Sequence, residues 1–244
     1  MDAGSPSATG STPALPLLRR ESVNSAPSAV SASPIVRVPV VHAVTSDEIV
    51  ARPDFMDVAC GVMGVLGTRG ALHLRASRLG AARLFELAES LAAAQRITGA
   101  WLVVNDRLDV ALAVQARGAQ LTSRSLLTAD ARHAAPSLAL GASVHTVAEG
   151  LEAAQAGADW LVVSHPFAPA AGELADGGTM LIERLVARTS VPLVAIGGVR
   201  PQHCRALRMA GAHGVAVIRG IWDAPNAERA AGDYLSCHDE ASAA

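Results

Sequence analysis

Eight short apolar runs, each followed by a stretch with helical spacing, fill the chain from residue 35 onward and leave few architectures open. The runs cover 38–44, 71–74, 100–104, 119–121, 137–141, 160–163, 193–196 and 214–218. Each is about as long as a buried strand, and near-continuous apolar character is what a sheet covered on both faces requires. Helical segments lie between them at 79–96, 108–117, 128–133, 146–156, 179–188, 201–210 and 227–235. In the first of these, Leu84, Leu87, Ala88, Leu91 and Ala94 recur at spacings of three and four, the period of one buried helix face. The segment 54–67 supplies the helix after the first run, although Gly61, Gly64 and Gly67 make it a poor helix former. Strands alternating with helices build parallel sheets, and eight such units within 244 residues predict an α/β fold, a closed (β/α)8 TIM barrel, with function on the loops after the strand C-termini.

Residues 1–33 are rich in Ser, Ala, Pro and Thr and bury too little apolar surface to order themselves, so they are expected to form a disordered tail. The barrel is expected over 34–238, with a C-terminal tail over 239–244. The chain has no lysine, so its 20 Lys+Arg residues are all arginine, and Schiff-base chemistry on a carbonyl is excluded. A net charge of −2 without a basic cluster argues against nucleic acid as a partner. No apolar stretch reaches the ~18 residues that would cross a bilayer. Three scattered cysteines, Cys60, Cys204 and Cys237, read as reduced thiols of a cytoplasmic protein.

The stretch 191–220, VPLVAIGGVRPQHCRALRMAGAHGVAVIRG, points to a ligand class. Gly197 and Gly198 release one strand, Pro201 suits the first turn of the helix that follows, and a second strand ends at Arg219-Gly220. In eight-stranded barrels the loops after strands seven and eight commonly bind phosphate through exposed backbone N–H groups. Polar residues also gather just past the other strand ends: Arg75 and Arg78, Asn105 and Asp106, Thr122 and Ser123, Ser143 and His145, Ser164 and His165.

These motifs resemble the thiamine phosphate synthase and TenI superfamily from about residue 40 to 234. The resemblance rests on HLR at 73–75, VVNDRLDVAL at 103–112, GASVHTVAEGLEAAQAGADWLVVSHPF at 141–167, VPLVAIGGV at 191–199 and AGAHGVAVIRGI at 210–221. It implies two activities. Synthases couple a pyrimidine pyrophosphate to a thiazole phosphate, with magnesium held by two aspartates and basic residues on the pyrophosphate. Asp106 matches the first aspartate, whereas Ser125 stands at the second, and the lysines expected after Arg75 and in the loop 168–178 are missing. TenI-like members are thiazole tautomerases, similar to this chain at those same points.

On that basis the sequence predicts a cofactor-independent isomerase, a thiazole tautomerase with His165 as the proton shuttle and no metal. A small phosphorylated thiazole is the expected partner, held by Arg75, Asn105, Ser143, Gly197, Gly198, Arg219 and Gly220. Arg75 is placed to pair with a carboxylate, and Arg219 either adds charge to the phosphate site or points outward. His73 and His145 read as structural. A synthase with an altered metal site and a non-catalytic sensor of thiazole or thiamine phosphate stay open as alternatives. Homodimers suit this kind of barrel, but the sequence does not set the oligomeric state.

Overall fold

The computed structural model describes Met1 and residues 36–164 and 179–243, the last four by backbone alone. Apart from Met1, the tail expected over 1–33 lies outside the described residues, as does the loop 168–178. Eight strands are present: β1 (Val41–Val44), β2 (Gly70–Leu74), β3 (Trp101–Asn105), β4 (Gly118–Leu121), β5 (Ala139–Val144), β6 (Trp160–Ser164), β7 (Leu193–Ile196) and β8 (Gly214–Val217). All neighbours are parallel, and β1 pairs with β8 through Val41–Val215 and Ala43–Val217, which closes the barrel in sequence order.

Ten helices accompany them among the described residues. In chain order these are α1 (Asp47–Val50), α2 (Phe55–Leu66), α3 (Ala81–Thr98), α4 (Leu108–Ala113), α5 (Thr128–Ala134), α6 (Val147–Gln155), α7 (Met180–Val186), α8 (Cys204–Met209), α9 (Arg219–Trp222) and α10 (Ala227–Ala243). The glycine-rich segment 54–67 is a helix after all, ending at Gly67. Its glycines are tolerated because packing overrides intrinsic propensity. At Gly61 a Cβ would sit 2.0 Å from Glu228 Oε1 on α10, so the Glu228 side chain occupies the space that the glycine leaves.

Apolar side chains divide into two cores, as a barrel requires. The larger lies between strands and helices and includes Leu72, Leu74, Leu91, Leu102, Leu140, Leu161, Ile182 and Leu185. The smaller fills the interior with Val44, Ala71, Trp101, Val103, Ala139, Trp160, Val162, Val194 and Ala216. Trp160 takes most of that space because its neighbours have no side chains. A Cβ on Gly141 would lie 2.2 Å from Trp160 Cε2, and one on Gly118 would lie 3.0 Å from its Cη2.

One cysteine expectation is corrected. Cys204 on α8 and Cys237 on α10 form a disulfide, with Cα atoms 6.2 Å apart, while Cys60 is free and exposed. The pairing is illegible in the sequence because 33 residues separate the two, and only the return of α10 against α8 brings them together. No described helix is long and apolar enough to cross a membrane.

Candidate active site at the C-terminal mouth of the barrel

Strand ends converge on a cavity of about 590 Å³ lined by residues from every strand, including His73, Arg75, Asn105, Gln120, Ser143 and Gly197. A second hollow of about 520 Å³ shares Ile196, Gly197, Gly198, Ala216 and Ile218 with it and adds Arg219 and Gly220. The structure therefore brings together all seven residues expected to bind substrate. His165, the expected proton shuttle, lies outside the described residues. Arg78 turns away from the mouth into exposed ion pairs with Asp47 and Glu48.

The end of β2 is held from below by Thr45, which follows β1. Its buried hydroxyl accepts the Arg75 N–H at 2.9 Å and lies 3.1 Å from the carbonyl oxygens of both His73 and Arg75. Arg75 is thereby fixed at the rim by its backbone, and its guanidinium has no ion pair among the described residues.

His73 is buried as its structural reading expects, and it has a second role in the site. It is 1% exposed, as a core residue would be, yet it lines the cavity. His42 Nδ1 lies 2.8 Å from His73 Nε2, and His42 Nε2 lies 2.9 Å from the Pro39 carbonyl oxygen. Burial, opposed in part by the Pro39 carbonyl and aided by His213, lowers His42 to about 4. Burial, followed by the neighbouring His42, also holds His73 well below the usual imidazole range. Both rings are therefore neutral near pH 7, and that fixes their tautomers. The Pro39 carbonyl can only accept, so His42 carries its proton on Nε2 and accepts on Nδ1. His73 must then donate from Nε2, which leaves its Nδ1 as an acceptor. Asn105 is the other group acting on the His73 ring, and its buried Oδ1 has no hydrogen-bond partner among the described residues. A buried amide oxygen left unpaired is costly, and this one belongs to a residue that lines the cavity.

A second chain sets the opposite wall. The Trp160 indole N–H donates to Gln120 Oε1 at 2.9 Å, and the Gln120 amide donates to Ser143 Oγ at 3.0 Å. Gln120 was not singled out in the sequence, because nothing in GAQL tells an interior glutamine from a polar interruption. Ser143 is therefore held by a core hydrogen bond, whereas Thr146 caps α6 by accepting the Glu149 N–H at 3.1 Å. His145 donates its backbone N–H to Glu149 at 2.8 Å.

Asp106 does not stand open as its match to a metal-holding aspartate implies. Its φ of 62° is unusual for a residue with a side chain, and it does not cap α4. Its Oδ1 accepts the hydroxyls of Thr122 and of Ser125, the latter at 2.6 Å, and its Oδ2 lies 3.6 Å from Arg124 Nη2. The Ser125 hydroxyl also accepts the Thr122 N–H at 2.9 Å. Asp106 is thus the knot that ties the β4–α5 loop to the end of β3, and it does not line the cavity. Among the described residues no group of three or more His, Cys, Asp or Glu side chains could hold a metal ion.

On the far side, Gly197 and Gly198 have φ of 121° and 64°, a turn that side chains resist. Gly220 lies against Tyr234, whose hydroxyl donates to the Val199 carbonyl at 2.9 Å, and a Cβ there would meet that hydroxyl at 2.3 Å. The glycine turns after β7 and β8 are in this way braced by α10.

Residues 43–221 match the family described as thiamine monophosphate synthase. A thiamine-phosphate synthase of Methanospirillum hungatei is 36% identical over 188 residues, covering 75% of this chain and 90% of that protein. One from Chlorobium phaeobacteroides is 33% identical over 201 residues, covering 80% of this chain and 96% of the relative. The structure of thiamine phosphate pyrophosphorylase from Pyrococcus furiosus superposes with a TM-score of 0.73 at 28% identity, over 83% of this chain and 96% of that one. These findings correct the isomerase expected from the sequence: the relatives are named as synthases, which are transferases. That expectation rested on a few loop positions, and similarity across nearly the whole length of several synthases outweighs them.

Proposed function

Because this chain belongs to the thiamine monophosphate synthase family, we propose that it is a transferase joining a pyrimidine borne on pyrophosphate to a phosphorylated thiazole. In that reaction the thiazole ring nitrogen attacks the methylene carbon that carries the pyrophosphate. A C–N bond forms, the C–O bond breaks, and pyrophosphate leaves with the electron pair.

One observation carries this reading over a one-substrate reaction: the continuous cavity has two separate places suited to an anion. Gly197, Gly198 and Gly220 present backbone on the β7–β8 arc, and Arg75 and Arg124 line the mouth on the β2–β4 arc. Strands β3 and β7 are four places apart in a closed barrel of eight, so the two arcs face each other. The glycine turns suit the thiazole phosphate and the arginines suit the leaving pyrophosphate. Between them Ser143, Asn105 and the His73 ring offer hydrogen-bonding groups to a heterocycle. With the unpaired acceptor Asn105 Oδ1, that middle section suits an amino-substituted ring such as a pyrimidine.

The magnesium that the family implies does not fit the residues present. Oδ1 of Asp106 already takes two hydroxyl protons, Oδ2 faces the Arg124 cation, and Ser125 offers a hydroxyl where a second carboxylate would stand. The steps above are therefore assigned to this chain's own side chains and backbone.

Incubation of the purified protein with both substrates tests the reading. Thiamine phosphate, identified by mass spectrometry, and an equal amount of pyrophosphate are expected. If both substrates bind yet no coupled product forms, with or without magnesium, the transferase reading is wrong.

A further inference from the structure

We propose that a pair of guanidinium groups, Arg75 and Arg124, holds the pyrophosphate where a divalent cation would otherwise act, and that Asp106 is a positioning residue for Arg124. The proposal rests on the transferase reading above and names how one of its two substrates is recognised.

The charges around the cavity motivate it. Among the described residues that line it, the permanently charged ones are Arg75 and Arg124, and no carboxylate is present. Arg75 forms no ion pair among the described residues and Arg124 meets Asp106 only at 3.6 Å, so two cations in a concave mouth concentrate anions there. Two guanidinium ions carry the same charge as one divalent cation, and each presents a planar fork that fits two phosphate oxygens at once.

Asp106 is unsuited to a metal for a stereochemical reason. A carboxylate ligand must offer a free lone pair to the ion; Oδ1 already takes two hydroxyl protons, and Oδ2, which accepts no hydrogen bond among the described residues, faces the Arg124 cation at 3.6 Å, which would repel a second cation there. The contact to Arg124, at 3.6 Å, is longer than a charge-assisted hydrogen bond, and the arginine side chain is 60% exposed. It orients the guanidinium without consuming its donors. The Arg124 N–H lies 3.3 Å from Thr122 Oγ1, itself bonded to Asp106, so backbone and side chain of Arg124 are set by the same carboxylate.

Titration of the full chain with inorganic pyrophosphate, followed by calorimetry, separates the alternatives. Binding should persist in EDTA, with Kd at equal free pyrophosphate changed by no more than about threefold on adding magnesium. Arg124→Ala and Arg75→Ala should each weaken it by about tenfold or more, and Arg124→Lys should recover only part because it lacks the fork. Thiazole phosphate should bind Arg124→Ala within about twofold of wild type, a control that misfolding would fail. Asp106→Asn should weaken pyrophosphate by a smaller factor and leave a titration with magnesium alone unchanged. Pyrophosphate binding that requires magnesium, or that survives Arg124→Ala intact, would overturn the proposal, as would magnesium binding lost in Asp106→Asn. Intact pyrophosphate binding in EDTA without any coupled product would instead count against the transferase reading alone.

Discussion

Replacing His42 by asparagine should remove a specific part of the acid sensitivity of this barrel. The His42 ring is fully buried and its pKa falls from 6.5 to about 4 on folding. The unfolded chain therefore takes up a proton that the folded chain refuses, and stability rises with pH through that window. The contribution is complete above pH 6.5 and is lost as the pH falls toward 4. A shift of this size corresponds to about 3 kcal/mol when fully realised, and about 2 kcal/mol of it is lost between pH 7 and pH 5. Protonating His42 also sets two N–H donors head to head across the 2.8 Å contact unless His73 moves its own proton to Nδ1. Urea unfolding followed by tryptophan fluorescence is a suitable assay, because Trp101 and Trp160 lie in the barrel interior. With a slope of roughly 2–3 kcal/mol per molar urea, wild type should lose about 1 M in midpoint from this group between pH 7 and pH 5. The His42→Asn variant starts lower at neutral pH, since His73 Nε2 and the Pro39 carbonyl lose their partner. Its pH dependence over the same window should be flatter by about 2 kcal/mol. If variant and wild type lost the same stability between pH 7 and pH 5, the assignment of a neutral buried ring to His42 would be wrong.

Two further changes probe the supports of the site. Gly141→Ala places a Cβ 2.2 Å from Trp160 Cε2 and 2.3 Å from Gln120 Oε1. It should cost about 1–3 kcal/mol in denaturant unfolding, and because Gln120 holds Ser143 it should also raise substrate KM. Tyr234→Phe removes the hydrogen bond to the Val199 carbonyl beside the glycine turn, and a loss of about 1 kcal/mol is expected from thermal unfolding, with weaker binding of thiazole phosphate. Burial pushes the Tyr234 phenol up to about 12, so this bond should show no titration between pH 6 and pH 10; a stability step in that range would contradict it.

Much of this molecule follows from local pattern alone. Eight apolar runs of strand length separated by helical periodicity specify the number and order of the strands, because each run must hide both faces and a covered parallel sheet does that. Glycines at 197, 198 and 220 mark turns that line the hollows of the mouth, since backbone without side chains is a local property. What pattern cannot show is which residues meet across the barrel. His73 reads as core because it sits in an apolar strand, yet the inward face of a barrel strand near its C-terminal end is both core and cavity floor. Its partnership with His42 spans 31 residues and depends on the β1–β2 register. The same holds for Gln120 between Trp160 and Ser143, and for the Cys204–Cys237 disulfide. Asp106 shows the limit most clearly: its match to a metal-binding aspartate is a fact of sequence, but Thr122, Ser125 and Arg124 turn its carboxylate into a loop anchor. Whether a carboxylate has lone pairs to spare depends on the donors that tertiary structure brings to it, and no spacing along the chain records that.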